Sequence, residues 1–172
     1  MAHPKSAAGY RLGIVNPLTL VGNEIKTILR ERAFPFAKVA LLDSTGEAAG
    51  ALTDIGDEPT IVTPVTQAEL EDLDLVFFCG PAEGNREWIE SADENGFIAV
   101  DLSQPTTAED AKLAIAGINL EELGASTTVV SPHPVAIPIA LILHEIESVA
   151  PIEICTATVV QPASEFEQAG VE

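Results

Sequence analysis

Ser131-Pro132-His133-Pro134 brings a hydroxyl and an imidazole closer together than any other stretch of this 172-residue chain. A serine beside a histidine base is the starting material for nucleophilic group transfer. Residues two apart in an extended segment point to opposite sides, however, and Pro132 stiffens them in that arrangement. No third group that would orient the imidazole is identifiable. His133 therefore reads first as a packed or solvated loop residue, and Ser131 and His133 stand as minor catalytic candidates. The two thiols, Cys79 and Cys155, lie far apart in apolar runs. Both read as buried thiols, ahead of a disulfide or a metal pair. His3, His133 and His144 have no metal-ligand spacing, so no metal is expected.

A second kind of chemistry is suggested by Tyr10 to Arg32, YRLGIVNPLTLVGNEIKTILRER. The apolar run Leu12 to Val15 meets a turn at Asn16-Pro17, and Val21, Ile25, Ile28 and Leu29 then recur at helical spacing. A first strand–turn–helix of this kind is where a dinucleotide-binding fold keeps its phosphate loop. Glycines there permit a tight turn and let a pyrophosphate approach free amides at the helix start. Here Pro17 removes one donor, while Leu18 and Leu20 add side chains near the phosphate space. Thr19 reads as the helix cap, and Gly22 as the residue that lets the helix pack close to its strand. Lost or degraded dinucleotide affinity is the leading reading, with retained weak binding as the alternative.

Asp43 closes the next apolar run, AKVALLD. A carboxylate at that position can accept hydrogen bonds from an adenosine ribose, which favours NAD over NADP. No arginine is near it to hold a 2′-phosphate. The plainer reading, an acid finishing a strand, leads.

The elements that must position these residues follow from the hydrophobic pattern. Strands are expected at about 11–15, 37–43, 60–63, 73–79, 97–102, 113–115, 127–130 and 152–160. Helices are expected at about 20–32, 66–70, 82–94 and 134–147, with Gly96 stopping the third and Asn119 capping a turn through Leu123. Residues 44–57 read as loop with a short edge strand. Apolar strands without alternation, separated by helices, imply an α/β doubly wound, mainly parallel Rossmann-like sheet with helices on both faces. The expected division is a flexible leader at 1–10, the sheet domain at 11–150, and a strand and tail at 151–172 that would begin a truncated second domain.

Charge excludes some partners. Eight Lys and Arg face 27 Asp and Glu, a formal net charge of −19. Such a surface repels nucleic acid and anionic membranes. The longest apolar run, Val135 to Leu143, is too short to span a bilayer, and no signal peptide is visible, so a cytoplasmic setting is expected. The late helix is apolar on nearly all faces, which implies cover by protein all round, from a second copy or a partner protein.

Several strings taken in order resemble the N-terminal half of aspartate-semialdehyde dehydrogenase and the wider semialdehyde dehydrogenase NAD-binding family. They are IVNPLTLVGNEIKTILRERAFP, LDLVFFCGP, FIAVDLSQP, AIAGIN, TTVVSPHPVAIPIAL and VVQPAS. The resemblance implies an NAD(P)-dependent oxidoreductase whose cofactor domain precedes a catalytic and dimerisation domain. The family's first loop, GATGAVG, falls on Asn16 to Gly22, and of its three glycines only the last survives, at Gly22. Its second loop over the cofactor falls on Gly80, Pro81 and Gly84, and a serine-rich turn near the nicotinamide falls on Ser103. Any dinucleotide would thus be held through Asn16, Thr19, Gly22, Asp43, Gly80 and Ser103. The family's catalytic cysteine, in NPNCST, falls on Pro134, which has no nucleophile. The resemblance therefore implies a noncatalytic homologue, with a divergent, weakly nucleotide-binding cofactor domain as the alternative.

Overall fold

The computed structural model describes residues 9–55, 58–103, 106, 111–124 and 126–160. The expected leader up to residue 8 and the acidic tail from 161 lie outside the described residues. Nine strands are described: β1 (Tyr10–Val15), β2 (Phe36–Asp43), β3 (Leu52–Ile55), β4 (Glu58–Ile61), β5 (Thr63–Pro64), β6 (Leu75–Phe78), β7 (Ile98–Asp101), β8 (Lys112–Leu113) and β9 (Thr128–Val130). The helices are α1 (Leu20–Glu31), α2 (Gln67–Glu71), α3 (Arg86–Glu90), α4 (Ala92–Asn95) and α5 (Ala136–Glu147), with a 3-10 turn at Leu120–Leu123.

Seven strands form a parallel sheet in the order β5-β2-β1-β6-β7-β9-β8, while β3 and β4 pair as a separate antiparallel hairpin. The chain runs outward from β1 to β2 and β5, then returns to β6 on the other side of β1. The order therefore reverses between β1 and β6, and a doubly wound sheet places its ligand crevice at such a reversal, beyond the carboxyl ends of the strands.

Both faces of the sheet are covered, as continuous apolar strands require. Val15, Leu42, Val76, Phe78 and Ala99 pack with Leu70, Ile89, Ala92 and Phe97 on the side of α2, α3 and α4. Leu12, Ile14, Leu41 and Cys79 pack with Leu29, Val21 and Ile25 on the side of α1. Phe78 and Phe97 are fully buried with ring centroids 6.3 Å apart, each burial contributing about 1.5–3 kcal/mol.

Several expected elements are corrected. The stretch 82–94 is two short helices broken at Ser91, and the second ends on Gly96 at φ 72°, the left-handed conformation that glycine adopts without a Cβ penalty. Asn119 does not cap its turn. Its side chain accepts from Ile115 N and donates to Leu113 O, 2.8 Å each. Residues 152–160 form no strand: they have no ladder partner among the described residues and lie largely exposed. Cys155 is exposed there, while Cys79 is buried. The late helix is formed, but it buries none of its residues, so the described residues do not cover it on all sides. No described helix is long and apolar enough to cross a membrane.

At the amino ends of the strands, Asp74 accepts from the Arg11 amide at 2.8 Å and from its guanidinium at 3.2 Å. Asp72 bonds Arg11 and Lys38 from a half-exposed position. Hydrogen bonding to Asp74 is the main cause holding the Arg11 guanidinium above its ordinary value. The Asp74 side chain is only 4% exposed, so removing it strands a partly buried cation. Asp74→Ala is expected to lower the unfolding free energy by about 2–3 kcal/mol in urea titrations. The same change at exposed Asp72 costs less than about 1 kcal/mol.

Candidate functional site

The first turn after β1 fixes the site. Asn16 adopts φ 58°, a left-handed conformation that asparagine tolerates better than most side chains. Its amide nitrogen donates to Leu42 O at 2.8 Å, which ties the turn to the end of β2. Thr19 then caps α1 as expected: its hydroxyl accepts from Gly22 N at 3.1 Å and donates to Asn16 O at 2.9 Å. Gly22 is held to its type by space. A Cβ there would lie 2.5 Å from Asn16 O and 2.8 Å from two Pro17 backbone atoms, so α1 seats against the turn only without a side chain.

The Asn16 side chain lies across the reversal point. Its amide donates to Ser44 Oγ at 3.0 Å, to Cys79 O at 3.1 Å and to Asn85 Oδ1 at 3.3 Å, while its carbonyl accepts from Ser44 N at 3.1 Å. Asn85, fully buried, donates to Cys79 O at 2.8 Å and to Ser103 Oγ at 3.0 Å. Ser103 in turn donates from its amide and hydroxyl to Asp101 Oδ1, 2.9 Å each. One chain of hydrogen bonds thus joins the carboxyl ends of β1, β2, β6 and β7.

Beside this network lies a cavity of about 320 Å³ lined by Asn16, Leu18, Thr19, Leu20, Asp43, Thr45, Glu47, Ala48, Ala51 and Pro81. That volume is at the small end of the range for ligand pockets. The amides of Leu20 and Val21 have no acceptor among the described residues, so α1 keeps two donors at its start for an anion. Leu18 and Leu20 stand exposed around them.

Asp43 lines the cavity but is already engaged. Its Oδ1 accepts from Thr45 N at 3.0 Å and Thr45 Oγ1 at 2.8 Å, and its Oδ2 accepts from Ala48 N at 2.8 Å. Burial alone would push the carboxyl up, yet bonds from the Thr45 hydroxyl and amide and from the Ala48 and Ala49 amides hold it below its ordinary value. The carboxylate fastens the loop after β2, and most of its lone pairs are spent there.

The structure brings Asn16, Thr19, Gly22, Asp43, Gly80 and Ser103 to one end of the sheet, with Gly80 buried next to Pro81 at the cavity wall. It does not join Ser131 and His133. Ser131 Oγ turns to the Pro132 carbonyl at 3.4 Å, and His133 Nδ1 accepts from Val135 N at 3.3 Å, at the head of α5. His133 and Pro134 are exposed there. Among the described residues, no group of three or more His, Cys, Asp or Glu side chains is placed to hold a metal.

Ser44, Glu47 and Asn85 were missed by sequence reasoning. An asparagine just before a helix reads as a cap, but the Asn85 side chain makes no capping bond and turns inward instead. Ser44 follows the strand-ending Asp43, and that adjacency was the available signal.

Comparisons with known proteins bear on this geometry. The sequence model described as semialdehyde dehydrogenase, NAD binding domain, matches residues 12–126. The aspartate-semialdehyde dehydrogenase of Rickettsia conorii is 24% identical over 167 residues, covering 95% of this chain and 49% of that one. That of Prochlorococcus marinus is 28% identical over 155 residues, covering 89% and 45%. The crystal structure of aspartate semialdehyde dehydrogenase II from Vibrio cholerae superposes with a TM-score of 0.85 at 21% identity, over 95% of this chain and 50% of that chain. The chain spans about half the length of the curated relatives it matches.

Asp43 supplies a pH test. Its folded pKa lies below the unfolded aspartate value of about 3.9, so its stabilisation is present above that value and is lost as pH falls toward the folded one. Asp43→Asn turns a donor toward Ala48 N and is expected to cost about 1–2 kcal/mol at pH 7. In denaturant titrations the gap from the parent protein should close below about pH 3.9.

Proposed function

Because this chain belongs to the semialdehyde dehydrogenase NAD-binding domain family, we infer that it is a noncatalytic member that works in the cytoplasm by binding and assembly. The observation that carries this reading is Pro134, at the head of α5 where the family resemblance locates the nucleophilic cysteine. A pyrrolidine ring can form neither a thiohemiacetal nor an acyl intermediate. The neighbouring groups do not replace it: the Ser131 hydroxyl faces a carbonyl, and His133 Nδ1 is engaged by Val135 N. The 172-residue chain is expected to show no phosphate-dependent oxidation of aspartate semialdehyde with NAD or NADP. Measurable turnover by the chain itself would overturn the reading. Pro134→Cys is expected to stay inactive as well, because a thiol alone lacks the positioned base that activates it. Turnover in that variant would show that the proline alone blocks the chemistry.

Nucleotide binding is the second reading, supported by the 320 Å³ cavity and the two amides at the start of α1. Asp43 and Glu47 line that cavity, and among the described residues no Lys or Arg does. A 2′-phosphate would meet two carboxylates, so NAD is favoured over NADP. Calorimetric titration is expected to give weak heat with NAD and none with NADP; absence of heat at millimolar NAD removes nucleotide binding.

Assembly is supported by α5. Leu141, Ile142 and Ile146 are exposed on it, and Val149 beyond it is 88% exposed. The proposed cover is protein, a second copy or a partner chain. Sedimentation velocity should show association that grows with concentration if the cover is a second copy. A concentration-independent monomer, unchanged in mixtures with candidate partners, counts against assembly through this helix.

A further inference from the structure

The outer face of α1 borders a second cavity, which shares no lining residue with the one at the strand ends. About 110 Å³ is enclosed by Asn23, Lys26, Thr27 and Arg30 of α1 and by Asp54 and Ile55 of β3. The four helix residues stand at i, i+3, i+4 and i+7, one continuous stripe. The volume is roughly three or four water molecules' share of liquid. That is the scale of a single tetrahedral oxyanion, and too small for a nucleoside.

Two cations converge on this space. Lys26 is only 8% exposed, and its Nζ donates to the uncharged Thr53 hydroxyl at 2.6 Å. An ammonium has three N–H groups, so that one bond does not exhaust it. Burial pushes the ammonium down and the charge of Asp54 pushes it partly back, yet Lys26 is not among the side chains whose ion pairs are described, Arg11 and Lys38. The guanidinium of Arg30, in the last turn of α1, makes no hydrogen bond or ion pair among the described residues. In a chain with 8 basic and 27 acidic residues, two basic side chains line this cavity against one acid, Asp54.

We propose that this groove binds a small tetrahedral oxyanion, phosphate or the head of a phosphomonoester, between the Lys26 ammonium and the Arg30 guanidinium. The guanidinium offers a planar fork of N–H groups and the ammonium a compact point charge. Asp54, on the same wall, repels the anion and keeps the affinity low. The anion would fasten α1 to the β3–β4 hairpin.

Thermal unfolding of the full 172-residue chain tests this in sodium phosphate, glycerol 1-phosphate and sodium chloride at matched ionic strength, so that screening of the −19 charge is equal. Phosphate is expected to raise Tm by about 3 °C beyond chloride at saturating concentrations. Arg30→Gln, at an exposed position and checked by circular dichroism, should lose most of that extra shift. Asp54→Asn should enlarge it. An equal shift with glycerol 1-phosphate supports a groove open to esters, and a shift with phosphate alone supports one that takes the free ion. No extra shift over chloride, an extra shift that Arg30→Gln leaves intact, or a smaller shift in Asp54→Asn overturns the proposal.

Discussion

The amide of Asn16 holds the carboxyl ends of three neighbouring strands in register. It sits at the point where the sheet reverses direction, in a left-handed turn, and it reaches Ser44 after β2 and Cys79 after β6. Two parallel strands in a sheet present their last carbonyls to the same space, and a buried carbonyl without a donor costs about 1–3 kcal/mol. Asn16 and Asn85 meet that demand from inside the chain, both donating to Cys79 O. No described buried side-chain nitrogen or oxygen is left without a partner. A network satisfied to that degree makes the crevice rigid, and it also leaves fewer groups for a ligand to recruit.

The same economy governs charge. Anion recognition needs positive groups, and this chain has few. Arg11 and Lys38 are drawn into the cluster with Asp72 and Asp74 at the amino ends of the strands, and Lys112 donates to Glu122 O and Leu123 O. None of these stands at the carboxyl ends, where a dinucleotide would lie. The cavity there is lined by Asp43 and Glu47 beside the partial positive charge of the α1 terminus, and Arg86 opens α3 just after Asn85. A nucleotide in that cavity, as proposed above, would rest chiefly on hydrogen-bond geometry and apolar contact with its lining.

Much of the fold was legible because its signals are local. The Leu12–Val15 run, the Thr19 cap and the close approach at Gly22 can all be read from residue type and spacing, and each is present. Residues 152–160 misled for a physical reason. Their β-branched composition favours a strand, but a strand exists only where another backbone offers donors and acceptors, and composition does not encode that neighbour. The site was half legible. Asp43 was visible as a strand-ending acid, whereas its capture by Thr45 and Ala48 depends on how the next loop folds back. Asn85 was invisible because its partners, Asn16, Cys79 and Ser103, come from three other segments.

The late helix completes the physical account. A helix of 12 residues is marginal in water on propensity alone, and α5 buries none of its own. Ile137, Ile139, Ala140 and Leu143 are half-buried against the domain, which accounts for one face. Leu141, Ile142 and Ile146 are exposed, although Ile146 continues the Ile139–Leu143 stripe and Leu141 follows Ile137 at helical spacing. Apolar side chains all round a helix lower its solubility and contribute nothing to a core that meets it on one side only. Glu145 and Glu147 are the charges that α5 itself carries, and the net charge of −19 opposes self-association at long range. On the assembly reading proposed above, contact with another protein surface would have to be strong enough at short range to offset that repulsion. Pro134 stands at the head of that helix. On the proposed noncatalytic reading, a position that in the resembling family serves chemistry would here serve to start a helix, for which a proline in the first turn is suited.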